Sequence, residues 1–281
     1  MKPLFVSDLD GTLLNQRGEL EEDTVRILHR LAEKGHWFTV ATARSVASAG
    51  KILERLDLQI PAVLMNGVIL YDTARKQCVR YDAIRPDIAR QALEVFERGN
   101  RLPYRFAFDG REFSVEYRML YHEADQDFVR QREDRYRRLE RVDDYRLEGD
   151  TVYLVALDHY EVLAPIVSEL RALREVSVTF YRDAYYKDMW FCECFSGQAS
   201  KAVGARRVRQ MVGADRLIVF GDNTNDIPLF EAADECYAVA NGVDELKALA
   251  NGIIGSNREQ GVARYLANRL SLCEKGMHLA R

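Results

Sequence analysis

Residues 4–14 read Leu4-Phe5-Val6-Ser7-Asp8-Leu9-Asp10-Gly11-Thr12-Leu13-Leu14. A short apolar run stops at two aspartates with one residue between them, and a glycine follows. The pattern predicts a buried strand with two carboxylates at its mouth. Unpaired charge is costly in that position, so a cation or a reaction is the expected reason for it. If the site is reactive, one carboxylate can attack an electrophile while the other handles protons. The plain alternative is a turn with solvated acids.

Outward from this stretch, apolar spacing predicts a helix over 21–34, with Val25, Leu28 and Ala32 on one face. A strand is expected at 37–41, a helix over Val46, Ala49, Leu53 and Leu56, and a strand at 62–65 after Pro61. Strand, helix, strand, helix, strand is the grammar of a parallel sheet with helical crossovers. Near residue 83 the grammar changes. Strands are expected at 104–108, 112–118, 151–157 and 176–181, and helices at 86–98, 120–139 and 160–173. Leu120, Ala124 and Phe128 form the apolar stripe of the second of these helices. After about residue 195 the α/β grammar returns: helix 199–212, strand 216–220, helix 227–233, strand 236–239 and a last helix opened by the capping-box pair Ser256 and Glu259. The expected fold class is α/β, a Rossmann-like parallel-sheet core (1–82 and 192–281) with an inserted α+β domain (83–191).

The chain has 281 residues, is 47% hydrophobic and carries a formal net charge of −4. That length supports a sizeable core, and the mild charge argues against a generic polyanion binder, so no nucleic-acid partner is expected. The start of the sequence does not read as a secretory leader, and no apolar stretch approaches the roughly 18 residues of a membrane span. A cytoplasmic protein without membrane association, a monomer or weak dimer, is expected. The five cysteines are Cys78, Cys192, Cys194, Cys236 and Cys273. Cys192 and Cys194 lie on an apparent strand with no further ligands nearby, which favours reduced core thiols over a metal site.

A second acidic stretch, Gly221-Asp222-Asn223-Thr224-Asn225-Asp226, directly follows the strand at 216–220. Sites in open parallel sheets form outside the carboxyl ends of strands, so Asp8, Asp10, Asp222 and Asp226 are expected to converge. Clustered carboxylates repel unless a hard cation joins them, and all-oxygen ligation suits Mg²⁺ better than zinc. Thr42-Ala43-Arg44 ends the strand at 37–41, where a hydroxyl and free N–H groups suit a phosphate. Lys201 opens a helix and is a compact cation for a phosphoryl oxygen. Taken singly, Thr42 reads as a helix cap, Lys201 as a solvated residue and Asn66-Gly67 as a hairpin turn. Together they sit where consecutive parallel strands end.

These motifs, in this order and with a large insert between the second and third, resemble the haloacid dehalogenase superfamily and within it the Cof-type (IIB) phosphatases. Ser7 to Leu14 resembles the first motif and Thr42-Ala43-Arg44 the second, where glycine is commoner than Ala43. Ser200-Lys201 resembles the third motif and Gly221 to Asp226 the fourth. Asn66-Gly67, Ala240-Asn241, Ser256-Asn257 and Gly261-Val262-Ala263 match further subfamily positions. The resemblance implies that Asp8 is a nucleophile forming an aspartyl-phosphate and Asp10 the general acid and then base. It implies that Thr42, Lys201 and the N–H groups of Leu9 and Ala43 hold the phosphoryl group, with Asn225 orienting it. Mg²⁺ would be bound by Asp8, the carbonyl of Asp10 and Asp222, with Asp226 acting directly or through water. The implied function is Mg²⁺-dependent hydrolysis of small phosphorylated metabolites, sugar phosphates foremost. A phosphomutase of the phosphomannomutase type and a non-catalytic phosphometabolite binder are the alternatives. The insert would be a cap that sets specificity, with Arg105, Asp109, Tyr181, Arg182, Asp183, Tyr185 and Lys187 as candidates for substrate contact.

Overall fold

The computed structural model describes residues 2–130, 132, 138–146, 148–183 and 186–270. In chain order it runs β1 (Leu4–Ser7), a wide turn Leu9–Leu13, α1 (Glu22–Glu33), β2 (Trp37–Val40), α2 (Val46–Leu56), β3 (Ala62–Leu64), β4 (Ile69–Asp72) and β5 (Gln77–Tyr81). The middle of the chain adds α3 (Pro86–Arg98), β6 (Tyr104–Phe108), β7 (Phe113–Tyr117), α4 (Glu123–Arg130), β8 (Arg138–Arg141), β9 (Asp150–His159), α5 (Tyr160–Ala172), β10 (Val176–Arg182) and β11 (Met189–Ser196). The last part holds α6 (Lys201–Val212), β12 (Leu217–Gly221), a turn Thr224–Asp226, α7 (Ile227–Glu231), β13 (Glu235–Val239), α8 (Asp244–Leu249), β14 (Gly252–Ile254) and α9 (Gly261–Arg269). No helix among the described residues is long and apolar enough to cross a membrane.

The residues fall into two compact units, one running up to Arg80 and resuming at Ser200, the other spanning Tyr81–Ala199. In the first, a parallel sheet has the order β14-β13-β12-β1-β2. Leu4, Phe5 and Val6 are wholly buried, as are Leu217, Ile218, Val219 and Phe220. Strands covered on both faces read as unbroken apolar runs, and each such side chain contributes about 2 kcal/mol of burial. An isolated parallel bridge, Ala41 with Val63, leads from this sheet into the antiparallel hairpins β3-β4-β5. The register pairs Ser7 with Phe220 and with Val40, so three neighbouring strands end at one level.

The second unit is built on a sheet of order β10-β11-β9-β6-β7-β8, antiparallel except between β7 and β8. α3 and α5 pack one face: Ile88, Ala92 and Phe96 with Leu163, Ile166 and Leu170 against Leu154, Ala156, Cys192 and Cys194. The two cysteines two residues apart therefore share the core-facing side of β11, and both are free.

Three sequence expectations change here. The helix expected over 120–139 is α4, ending at Arg130, and 138–141 is strand β8; residues 131 and 133–137 of that range lie outside the described residues. Leu120, assigned to its apolar stripe, is exposed and lies before α4. The expected junction at 191/192 falls inside β11, whose residues pair along their length with β9 and β10.

Most of the candidates for substrate contact have structural partners. Arg105 is fully buried, 3.0 Å from Glu116 and bonded to Thr151 at 2.8 Å. Asp109 accepts from the N–H groups of Arg111 and Glu112, both at 2.8 Å, closing the β6–β7 turn. Tyr181 donates to Glu193 at 2.9 Å, Arg182 donates to the carbonyl of Lys187, and Asp183 accepts from the N–H of Tyr186 at 2.6 Å. Tyr185 lies outside the described residues.

Candidate active site

Asp8 directly follows β1, Asp222 directly follows β12 and Thr42 lies two residues past β2. Because β1 runs between β12 and β2, residues 214 positions apart meet at one edge of the sheet: Asp8 and Asp222 with Asp226 each offer an oxygen within 4.8 Å of the others. Lys201 enters from the first turn of α6, which Ser200 caps by accepting from the N–H of Val203 at 3.1 Å. Its Nζ donates to Asp8 Oδ1 at 2.6 Å and to Asp226 Oδ1 at 2.7 Å. Asp8, Lys201 and Asp226 are all buried, Asp226 completely.

Two glycines make this packing possible. Gly11 has φ +80°, and a Cβ there would stand 2.4 Å from Asp222 Oδ2. Gly67 has φ +93°, and a Cβ there would stand 2.0 Å from the carbonyl oxygen of Ser200, at the root of Lys201. Gly67→Ala is therefore expected to cost about 1–3 kcal/mol from the left-handed conformation alone, with the clash on α6 added to it. A urea unfolding midpoint equal to that of the wild type would contradict this placement.

The electrostatics follow from two buried carboxylates sharing one ammonium, with a third carboxylate, Asp222, beside them. Burial pushes the Asp8 carboxyl up to about 8; Asp226 and Asp222 add to the push and Lys201 opposes it. Asp222 is pushed up to about 6, chiefly by burial, with the Thr12 hydrogen bond opposing. Burial works against a charged Lys201, but Asp226 and Asp8 outweigh it and hold the ammonium above its ordinary range. A cluster with this excess of negative charge and only oxygen donors fits a hard divalent cation such as Mg²⁺. Asp8, Asp222 and Asp226 are the carboxylates that would hold it.

The carboxylate of Asp10 is not one of the three. It is about half exposed and takes a two-pronged grip from Arg44, Nε at 2.8 Å and Nη2 at 2.6 Å. Arg44 stands in the second motif, yet nothing in the sequence pairs it with Asp10. Thr42 is buried; its hydroxyl accepts from the N–H of Arg44 at 3.1 Å, and its carbonyl accepts from the N–H of Asn66 at 3.0 Å. Leu9 opens the wide turn after Asp8, where the first N–H groups have no partner within the turn. Ala43 lies between Thr42 and Arg44, half-buried. Asn225 is exposed on the turn that carries Asp226.

The supporting residues are largely those the sequence matched without a role. Thr12 donates to Asp222 Oδ1 at 2.7 Å. Asn241 donates to the carbonyl of Gly11 at 2.7 Å and accepts from the N–H of Asn257 at 2.9 Å. Asn257 donates in turn to the carbonyl of Leu14 at 2.9 Å. These bonds tie the turn after Asp8 to the loops after β13 and β14. Asp226 uses its second oxygen to accept from the N–H groups of Asp222 and Asn223, at 3.1 and 3.3 Å.

A family model described as haloacid dehalogenase-like hydrolase matches residues 5–266. Among characterised proteins, the chain is 26% identical to the 5-amino-6-(5-phospho-D-ribitylamino)uracil phosphatase YitU of Bacillus subtilis, over 96% of this chain and 99% of that protein. It is 24% identical to the pyridoxal phosphate phosphatase YbhA of Escherichia coli, over 94% and 97% of the two chains. Among solved structures it shares the fold of the subclass IIB sugar phosphatase BT4131, with a TM-score of 0.73 and 17% identity over 97% of this chain and 100% of that one.

Proposed function

The chain belongs to the haloacid dehalogenase-like hydrolases, of the Cof type, and we propose that this phosphatase hydrolyses monoesters of small metabolites, sugar phosphates foremost, with Mg²⁺ and through an aspartyl-phosphate. The observation that carries the reading is the buried grip of Lys201 on Asp8 and Asp226 beside Asp222. A carboxylate and a phosphate dianion repel each other, and phosphoryl transfer needs charge neutralisation and positioning more than any other help. Bound Mg²⁺ would neutralise charge between the attacking carboxylate and the phosphoryl oxygens.

The chain's own residues then divide the work. An oxygen of Asp8 forms the new bond to phosphorus as the ester oxygen leaves, and Asp10 gives that oxygen its proton. In the second displacement Asp10 takes a proton from water, the water oxygen bonds to phosphorus, and Asp8 leaves as a carboxylate. Using one group as acid and then base returns the site to its starting state. Asp10 is open to solvent, and Arg44 orients its carboxylate. Lys201, Thr42 and the N–H groups of Leu9 and Ala43 are the groups proposed to hold the phosphoryl oxygens, and Asn225 to orient the substrate phosphate.

The test is phosphate release from a panel of sugar phosphates, nucleotides, flavin phosphate and pyridoxal phosphate, first with chelator and then with Mg²⁺. The expected result is release only with Mg²⁺, without a bisphosphate activator, and with the highest kcat/KM on a sugar phosphate. Release that requires a bisphosphate would point to phosphoryl relocation instead. Release from no member of the panel would overturn the reading.

A further inference from the structure

The Tyr81–Ala199 unit carries a second group of ligand-type side chains, chemically unlike the first. His122 lies just before α4, and Asp158 and His159 end β9. Their ligand atoms fall within 4.8 Å of one another. We propose that these three residues form a Zn²⁺-class metal site that fastens the start of α4 to the β9–α5 junction.

The arrangement shows how each ligand is held. Arg101 Nε stands 3.0 Å from Asp158 Oδ2 and fixes that oxygen. The other oxygen, Oδ1, accepts from the N–H of His159 at 2.7 Å and faces His122 Nε2 at 3.0 Å. That nitrogen is buried yet makes no hydrogen bond, despite its closeness to the carboxylate. A buried ring nitrogen left without a bond is costly, and a cation shared with the facing carboxylate would satisfy both. The main-chain N–H of His122 donates to Asp125 at 3.1 Å, which holds the loop in place. His159 sets its Nδ1 against the carbonyl of Asp188 at 3.2 Å, a contact of the kind that orients ligating imidazoles. The two rings meet edge to face with centroids 5.4 Å apart.

Two imidazoles and one carboxylate make a nitrogen-rich set, suited to Zn²⁺ and poorly suited to Mg²⁺ or Ca²⁺, which prefer oxygen. Three protein ligands leave a fourth position for water. The ligands come from two separated segments, so the ion would bridge them and stabilise the unit that contains them.

The test titrates Zn²⁺ alone into the metal-stripped full chain by calorimetry, with Mg²⁺ in excess, and repeats it on the Asp8→Asn/Asp222→Asn variant, which dismantles the carboxylate cluster. One Zn²⁺ per chain is expected in both, with a rise in thermal midpoint. His159→Ala, at an exposed position, and His122→Gln should each weaken that binding at least about tenfold with circular dichroism unchanged. If His122→Gln does not fold, His159→Ala decides alone. Loss of all Zn²⁺ binding in the Asp8→Asn/Asp222→Asn variant, or wild-type affinity in the histidine variants, would overturn the proposal and leave His122 and Asp158 as an ion pair only.

Discussion

Asp8→Asn is expected to lower phosphate release by about four orders of magnitude or more while leaving the protein as stable as before, or more so. The amide has nearly the shape of the carboxylate but offers no anionic oxygen to attack phosphorus. Lys201 keeps its bond to Asp226, so no buried ammonium is stranded. The gain in stability comes from the titration of the cluster. Burial raises Asp8 from an ordinary 3.8 to about 8 and Asp222 from 3.8 to about 6. Both folded-state values lie above the unfolded ones. Between those limits the unfolded chain has released protons that the folded cluster keeps, so without metal the stability of the wild type falls as pH rises from about 4 towards 8. Asp8→Asn removes the larger part of that slope. Urea midpoints in chelator at several pH values, beside phosphate-release assays, measure both effects. An Asn variant that still turned over at the wild-type rate would remove Asp8 as the nucleophile.

The acids of this site are legible in the sequence because topology does the gathering. An apolar strand that ends in Asp-x-Asp-Gly, and another that ends in Gly-Asp, bring their acids together once both strands lie in one parallel sheet. Side-chain pairing is not legible in that way. Arg44 reaches Asp10 across a loop from the next strand, and Asn241 reaches the carbonyl of Gly11 from the loop after β13, two strands away. Neither contact leaves a periodic trace. Gly67 read as the glycine of a hairpin turn, and it does occupy one; its close approach to Ser200 is a tertiary fact. In the inserted unit, charge density hides the end of α4, because charged residues suit the surface of a helix and the exposed positions of β8 equally well. Strands β5 and β14 were invisible for a related reason: they are short and largely exposed, and lack the alternation that marks a half-buried strand. Arg105 and Asp109 read as substrate groups because polar residues in an insert look available, but one closes a buried ion pair and the other a turn.

Lys201→Ala should lose turnover as Asp8→Asn does, yet with the opposite effect on stability. The ammonium lies between Asp8 and Asp226, and both carboxylates are buried. Where Asp8 is ionised, removing it leaves like charges facing each other out of water, and breaking a buried pair in this way costs about 3–5 kcal/mol. Added Mg²⁺ should recover more stability in this variant than in the wild type, since a cation bound to the folded cluster then relieves a larger repulsion. Lys201→Arg should not restore turnover, because a planar fork cannot replace a compact charge at the crowded start of α6. Combining Lys201→Ala with Asp8→Asn separates the two causes of destabilisation. If charge imbalance is responsible, the second substitution recovers part of the first loss, a coupling of about 0.5–3 kcal/mol between contacting groups. If the loss reflects only the cavity left by the lysine stem, the two effects add. Unfolding midpoints of the single and double variants in chelator distinguish these outcomes. A Lys201→Ala variant as stable as the wild type would mean that the carboxylates discharge by taking up protons, and that the lysine serves the phosphoryl group alone.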